Sequence, residues 1–354
     1  MTSHGKDRQA IFVEAPARLH FGVLDPCGVG GRWFGGLGAA APAPTLLVSA
    51  SPADALDVHG VRGVGAADVE RSASFARAFL QHHHLDAGAC VCVHRALPAH
   101  AGLGSGTQLG LAVARALAEV HGLAADAPSL ARAVGRGRRS AVGTWTFARG
   151  GFVVEGGRRV EDAGSADVAP LLAGLPFPPA WRCVVAVPDA AAGVSGDIEA
   201  EALARLPPPA GPDVERVAAL VMDALLPAIA ARDLQAFGEA LTEVQTINGR
   251  WFAPVQGGTY ASGPSAELVR SMTEWGAPGV GQSSWGPTVY AIVEGEDAAR
   301  RLADRARAVL GGAGDVYEGP FGADGARIWR APVQSARALH VPQRPTARGL
   351  PRAP

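Results

Sequence analysis

Residues 97–110 read LPAHAGLGSGTQLG, and a strongly helical run, LGLAVARALAEVHG (109–122), continues from them. Glycine lets a backbone approach an anion closely because no Cβ intervenes. A helix N-terminus adds unpaired N–H groups and the positive end of the helix dipole. Gly102, Gly104, Ser105, Gly106 and Thr107 therefore form a candidate phosphate cradle, with two hydroxyl donors in Ser105 and Thr107. A plain glycine-rich loop with Ser105 as helix cap satisfies the same letters, and the motif alone does not separate the two. The stretch matches neither GxxxxGK[ST] nor a GxGxxG turn inside a βαβ unit.

Working outward, residues 89–95 read as the strand entering this loop and 68–84 as the helix before it, with Val69, Ala73, Ala76 and Leu80 at helical spacing. Residues 11–24 read as two strand pieces around Pro16, 25–44 as a Gly/Pro-rich loop, and 45–50 as a short strand. A helix is expected at 127–135, and strand pieces at 151–155 and 158–160. Four prolines between 164 and 180 mark the approach to a domain boundary. Beyond it come a buried strand at 182–189, helices near 197–206, 213–231 and 233–248, a helix–strand–helix order over 263–310, and a final strand pair at 314–318 and 326–331. This order suggests an α+β sandwich. The expected units are 1–180 with the phosphate loop, 181–334, and a disordered Pro/Arg-rich tail at 335–354.

The chain has 354 residues, 48% hydrophobic, with 32 basic and 33 acidic side chains. That balance argues against general nucleic-acid or membrane-surface binding. Cys27, Cys90, Cys92 and Cys183 form no CxxC pair, and Cys90 and Cys92 are expected as small buried hydrophobes of a strand. No metal site is expected, since His82, His83 and His84 lack partners at standard spacing. The polar N-terminus has no signal-like apolar core, and no apolar run approaches the roughly 18 residues of a membrane span, so the expected location is cytoplasmic.

The loop resembles the phosphate loop of the GHMP kinase superfamily, Pro-x-x-x-Gly-Leu-Gly-Ser-Ser: Pro98 to Ser105 fit, and Gly106 replaces the second Ser. APARLHFGVLD (15–25) resembles the first motif of that superfamily and GAPGVGQSSWGPTVYAIV (276–293) its third, in the right order. The resemblance implies a two-domain α+β GHMP kinase-like fold, with a ribosomal protein S5 domain 2-like N-terminal domain and a ferredoxin-like C-terminal one. ARLHFG, GLGSGTQ, GRGRRSAVGTWTFARGGFVVEGG, QGGTY and GVGQSSWGPTVY together are similar to the β-ribofuranosylaminobenzene 5′-phosphate synthase family. That resemblance implies decarboxylating ribosyl transfer from phosphoribosyl pyrophosphate (PRPP) to 4-aminobenzoate, or to 4-hydroxybenzoate, in tetrahydromethanopterin biosynthesis. It also implies Mg²⁺ travelling with the pyrophosphate substrate, no ATP, small-molecule substrates only, and a homodimer.

A small-molecule kinase on the same fold is the rival reading. Many GHMP kinases carry a proton-accepting Asp in a Ser-Gly-x-Asp motif; Gly143 falls near that position, and no carboxylate lies between Arg139 and Gly151. A non-catalytic anion binder on this fold is the third reading. Synthase chemistry needs donors for two strongly anionic groups, which suits Arg136, Arg138 and Arg139 in GRGRRS, unless they form a solvated helix end. Arg18 is the candidate holder of the acceptor carboxylate, and His20, two residues on, faces the same side of a strand. An exposed surface arginine at 18 and a hydrogen-bonded core histidine at 20 are the alternatives. Trp33, Phe34 and Trp285 are candidate walls for a flat ring or plugs of a domain junction, and His100, Gln282, Ser283 and Ser284 are candidate substrate contacts.

Overall fold

The computed structural model describes residues 9–162, 164–189, 201 and 203–332. Half of the helix expected near 197–206 and all of the tail at 335–354 fall outside these residues. Two long antiparallel strands, β1 (Gln9–Asp25) and β2 (Arg32–Ala53), form the spine. Strands β3 (Asp57–Gly60) and β4 (Gly88–Arg95) extend the sheet on one side and β12 (Arg327–Pro332) on the other, giving the order β12-β1-β2-β4-β3. Strands β5 (Phe152–Glu155) and β6 (Arg158–Arg159) attach to β2, and β7 (Leu171–Leu175) to β5.

The stretch expected as a loop at 25–44 is strand from Arg32 onward. Its glycines and alanines reflect tight packing rather than looseness. A Cβ on Gly38 would lie 2.2 Å from the Leu19 carbonyl oxygen and 2.6 Å from Val142. Only small residues let β2 lie this close to its neighbours. The two pieces expected around Pro16 are one strand, with register irregularities between Pro16 and Arg18 and between His20 and Gly22. Bulges of this kind re-aim side chains and occur beside active sites.

Helices α1 (Ala66–His82), α2 (Ser105–Val120), α3 (Ala127–Ala133) and α4 (Val142–Arg149) belong to this half. Helix α2 is alanine-rich, with Leu109, Leu111, Ala112, Val113, Ala116 and Leu117 all buried. Its small side chains let it lie on the paired strands β1 and β2, fixing the phosphate loop relative to the spine.

The second sheet has the order β11-β8-β10-β9, all antiparallel, formed by β8 (Trp181–Pro188), β9 (Gly279–Gln282), β10 (Val289–Glu294) and β11 (Gly314–Pro320). The change of sheet thus falls between β7 and β8. One face, carrying Val184, Ala186, Val289 and Ala291, packs on α8 (Pro264–Glu274) and α9 (Glu296–Leu310). The other face, carrying Cys183, Val185, Tyr290 and Ile292, joins one continuous core with the first sheet and α7 (Leu234–Gln256). Before α7, α5 (Gly211–Ala219) runs through one wide turn at Leu220–Leu225 into α6 (Leu226–Ala231).

Two expectations change. The last strands are not a pair: β11 joins β8, whereas β12 (Arg327–Pro332) crosses back to β1, where Trp329 stacks on Phe12 at 5.5 Å. On β4 the buried side belongs to Ala89, Val91 and Val93, so Cys90 and Cys92 are only half-buried on the open face. There the Cys90 thiol lies 3.8 Å from the Asp57 carboxylate and 4.0 Å from His59 Nδ1. Cys183 is buried, as expected.

Candidate active site

The three sequence motifs meet at one point, and Ser283 is the knot. Its buried hydroxyl donates to the Gly102 carbonyl (2.7 Å) and accepts from the His20 backbone N–H (2.9 Å). Around it the backbones touch. A Cβ on Gly102 would fall 2.1 Å from the Ser283 carbonyl oxygen, and one on Gly286 would fall 2.1 Å from the Ala101 carbonyl carbon. Glycine is required at both positions, and doubly at 102, where φ is +83°. The Arg18 N–H donates to the Leu103 carbonyl (2.9 Å), and its Nη1 to the Gly102 carbonyl (3.2 Å). The phosphate loop is therefore held in place from β1 and from the 283–286 turn.

Gly104 (φ +70°), not Ser105, occupies the cap position of α2; Ser105 is the first helical residue, so the serine-cap reading is set aside. Thr107 and Gln108 spend their N–H groups on the Gly104 carbonyl. The Arg136 guanidinium lies over Gly106, where a Cβ would be 3.2 Å from Nη2, and stacks on the Phe75 ring at 4.9 Å. Burial, then the charges of Arg71 and Arg139, lower its pKa from the usual arginine value. Three cations thus crowd the start of α2, an arrangement that favours an anion there. Arg71 was missed from sequence because it stands on α1, more than thirty residues before the loop, and pairs there with Asp68.

Beside this cradle opens a cleft with about 780 Å³ of empty space, solvent at its mouth included. Arg18, His20 and Arg139 form one wall; Phe34, Phe252 and Trp285 give it flat apolar surfaces. Phe252 and Trp285 meet edge to face at 4.8 Å. The floor is α7, whose Gln245, Asn248, Gly249, Phe252 and Gln256 share one face by helical spacing. This face also grips β1 at its second bulge. Asn248 accepts from the Val23 N–H (2.6 Å) and donates to the Val23 carbonyl (3.1 Å), and Gln245 donates to the Phe21 carbonyl.

Other expected residues lie elsewhere or serve the frame. Gln282 and Ser284 line the cleft, but the Gln282 amide is spent on the Ala261 N–H (2.7 Å) and the Ser284 carbonyl (2.9 Å). Trp33 is 36% exposed, covers Gly28 and donates to the Cys27 carbonyl, so it is Phe34 beside it that reaches the cleft. His100 is exposed at a left-handed position (φ +56°) outside the cleft lining. Arg138 is exposed, near Arg158.

His20 is buried, and its pKa is pushed well below the ordinary histidine value by desolvation and then by the Arg18 charge. The imidazole is therefore neutral. Its Nε2 lies 3.2 Å from the Ser140 hydroxyl. Behind Ser140 stands Glu155, fully buried, which accepts from the N–H groups of Ala141 (3.2 Å) and Gly157 (2.8 Å). Burial raises its pKa to about 7 against those bonds. Among the described residues, the cleft lining contains no carboxylate. Asp25 at its edge is spent on the backbone of Cys27, Gly28 and Gly30. Gly143 is on α4, packed against α2; a Cβ there would already press on Thr107 at 3.1 Å.

The GHMP kinases N terminal domain matches residues 70–147, and the GHMP kinases C terminal domain matches residues 225–312. A β-ribofuranosylphenol 5′-phosphate synthase of Methanothermobacter thermautotrophicus is 34% identical over 80% of this chain and 89% of its own length. That of Archaeoglobus fulgidus is 32% identical over 80% and 87%. The chain belongs to the β-ribofuranosylphenol 5′-phosphate synthase family. It is an enzyme of that family on the GHMP fold. The fold is shared with homoserine kinase from Cytophaga hutchinsonii (TM-score 0.68, 17% identity, covering 93% of this chain and 99% of that one). Synthases and kinases on one fold differ in their side chains, so the cleft decides the chemistry. No helix of the described residues is long and apolar enough to cross a membrane.

Proposed function

We propose that the enzyme transfers the ribose 5-phosphate unit of PRPP to the ring carbon of 4-aminobenzoate that bears the carboxylate. The observation that carries this reading is the junction of two unlike subsites at Arg18: a cationic glycine loop on one side and an aromatic-walled cleft on the other. The bond from ribose C1 to pyrophosphate breaks, with its electrons leaving on pyrophosphate. A new bond forms from C1 to the ring carbon. The carboxyl group then departs as carbon dioxide, its bonding pair restoring the aromatic ring.

In this reading the loop at Gly102–Thr107, with Arg136, Arg139 and Arg71, holds phosphate oxygens. Arg18 orients the carboxylate, and Phe34, Phe252 and Trp285 sandwich the ring. Positioning and fixed charge supply the catalysis, each worth several kcal/mol. ATP has no part, in keeping with Gly143 where a kinase would keep its base. Magnesium would enter with the pyrophosphate, held by substrate oxygens and water, and would offset the charge of the leaving group; the described cleft lining has no carboxylate to hold it. The product then feeds tetrahydromethanopterin synthesis.

The phenol in the relatives' names favours a second acceptor, 4-hydroxybenzoate, which differs only in the para atom. Purified enzyme with Mg²⁺ and PRPP, given each acceptor in turn and analysed by mass spectrometry, tests both. The expected product is the ribosylated ring lacking its carboxyl group. A product retaining the carboxyl group, or one formed only with ATP, contradicts the reading.

A further inference from the structure

The residues that face the cleft account for binding but leave one buried carboxylate without a task. Glu155 lies on β5, behind the cleft wall, and its connection to the cleft runs through Ser140 to His20. We propose that Glu155 and Ser140 form a proton relay behind His20, which sets the imidazole nitrogen that offers its lone pair to the substrate. The proposal deepens the ribosyl-transfer reading and rests on the cleft being the acceptor site.

The Ser140 hydroxyl has one proton to give. With Glu155 ionised, Ser140 donates to that carboxylate, so its oxygen can only accept, from the Val142 N–H (3.3 Å) and from His20 Nε2. Nε2 then carries the hydrogen, and Nδ1 is a base. With Glu155 protonated, the chain reverses. The carboxyl proton turns to Ser140, Ser140 turns its own to Nε2, and Nδ1 becomes a donor. Desolvation and Arg18 disfavour imidazolium, so the change is one of tautomer, with the charge left on Glu155. The charged groups facing the relay are Arg158 beside Glu155 and Arg18 beside His20; Arg139 adjoins Ser140 in sequence. Burial balances Glu155 between its two forms near neutrality, where such a relay is useful.

The chemistry gives the relay a proton to carry. Arg18 and His20 lie on one face of a regular stretch of β1, roughly 6.6 Å apart along the strand. Both residues line the cleft, so a benzoate ring can lie between them. With the carboxylate on Arg18, the para substituent meets His20. As the ring carbon attacks ribose C1, the para group becomes acidic and its proton passes to His20 Nδ1. The Nε2 hydrogen passes to Ser140, and the Ser140 hydrogen to Glu155. When carbon dioxide leaves, the ring takes back its electrons and the proton returns by the same path. No proton is gained or lost overall. His20 is the catalytic residue; Ser140 and Glu155 act through it as positioning residues.

The test uses the full chain with ¹⁵N-labelled histidine, the His20 signals being identified by their loss in His20→Gln. Between pH 8 and pH 6 the wild-type His20 signals should change from the Nε2–H to the Nδ1–H pattern. Ser140→Ala and Glu155→Gln should abolish that change. In parallel, wild-type kcat should rise about tenfold from pH 6 to pH 8, as a single base with a pKa near neutrality requires. The same two variants should flatten this rise, whereas Glu155→Asp should keep it, displaced in pH. If Glu155→Gln does not fold, Ser140→Ala carries the test alone, because Glu155 keeps its backbone partners there. A His20 pattern that does not change in the wild type, or that changes equally in Ser140→Ala, overturns the relay. If neither benzoate turns over, the ribosyl-transfer reading fails, and the nuclear magnetic resonance result still judges the relay.

Discussion

Ser283→Ala removes two hydrogen bonds and one acceptor that nothing else supplies. The Ser283 hydroxyl joins Gly102 of the phosphate loop to His20 of β1 from within the 283–286 turn, at 2.7 and 2.9 Å, with 0% of the residue exposed. In the variant the Gly102 carbonyl keeps its bond from Arg18 Nη1. The buried His20 N–H keeps nothing. Losing the bond to Gly102 costs about 0.5–1.5 kcal/mol, and stranding a buried donor costs about 1–3 kcal/mol more. We expect a loss of about 2–4 kcal/mol in urea unfolding followed by tryptophan fluorescence, as a lower midpoint with an unchanged slope. Turnover should fall as well, since Arg18 and the loop lose their common tie. A loss below about 0.5 kcal/mol with normal turnover would refute the claim that this hydroxyl holds the three motifs together.

Arg136→Ala should raise the KM for PRPP by roughly 10- to 100-fold, the value of one charge-assisted hydrogen bond, and leave the KM for the benzoate nearly unchanged; equal effects on both would assign Arg136 to packing on Phe75. Glu155 makes stability depend on pH in the sense opposite to an ordinary paired carboxylate. Its pKa is raised from 4.5 to about 7, so between those values the folded protein holds a proton that the unfolded chain releases, and stability falls as pH rises through this window, by about 3 kcal/mol in all. Glu155→Gln should remove that slope in urea titrations at pH 5 and pH 8. His20, with its lowered pKa, contributes a loss of stability below about pH 6.5 in both proteins, so the difference between them isolates Glu155. Gly102→Ala should be far more damaging in thermal melts than Gly106→Ala. The first incurs roughly 1–2 kcal/mol for its backbone angle alone and drives a Cβ into the Ser283 carbonyl, whereas the second meets only the movable end of Arg136.

The phosphate loop and its helix were legible because their signal is local: glycines at fixed positions followed by a helical run. Arg18, His20, Arg139 and Trp285 were legible as members of unusual motifs, and the structure gathers all four at one cleft. What escaped was produced by packing between distant segments. The second half of β2 was read correctly at 45–50, but its first half was hidden because its glycines and alanines, which answer close contact with β1 and α4, spell a loop when read alone. Gln245, Asn248 and Phe252 were hidden on α7, more than two hundred residues from the strand they grip, though polar side chains along one helix face were a usable hint. Glu155 and Ser140 stand inside one quoted motif, GRGRRSAVGTWTFARGGFVVEGG, but nothing in that run marks the carboxylate as buried or joined to Ser140. Its importance comes from burial and from Ser140, which sits at the start of another element. Trp33 shows the converse: of the three loop aromatics expected as walls it packs on one of its neighbouring glycines, whereas Phe34, at φ +65°, and Trp285 line the cleft.

The most direct test of the account uses 4-aminobenzoate and 4-hydroxybenzoate labelled at the carboxyl carbon, with purified enzyme, Mg²⁺ and PRPP, and without ATP. The account predicts labelled carbon dioxide from at least one acceptor, dependent on PRPP and matched one-for-one by pyrophosphate. Folded enzyme that releases no label from either acceptor, yet consumes ATP with a small-molecule alcohol, would contradict it and assign the glycine loop to phosphoryl transfer.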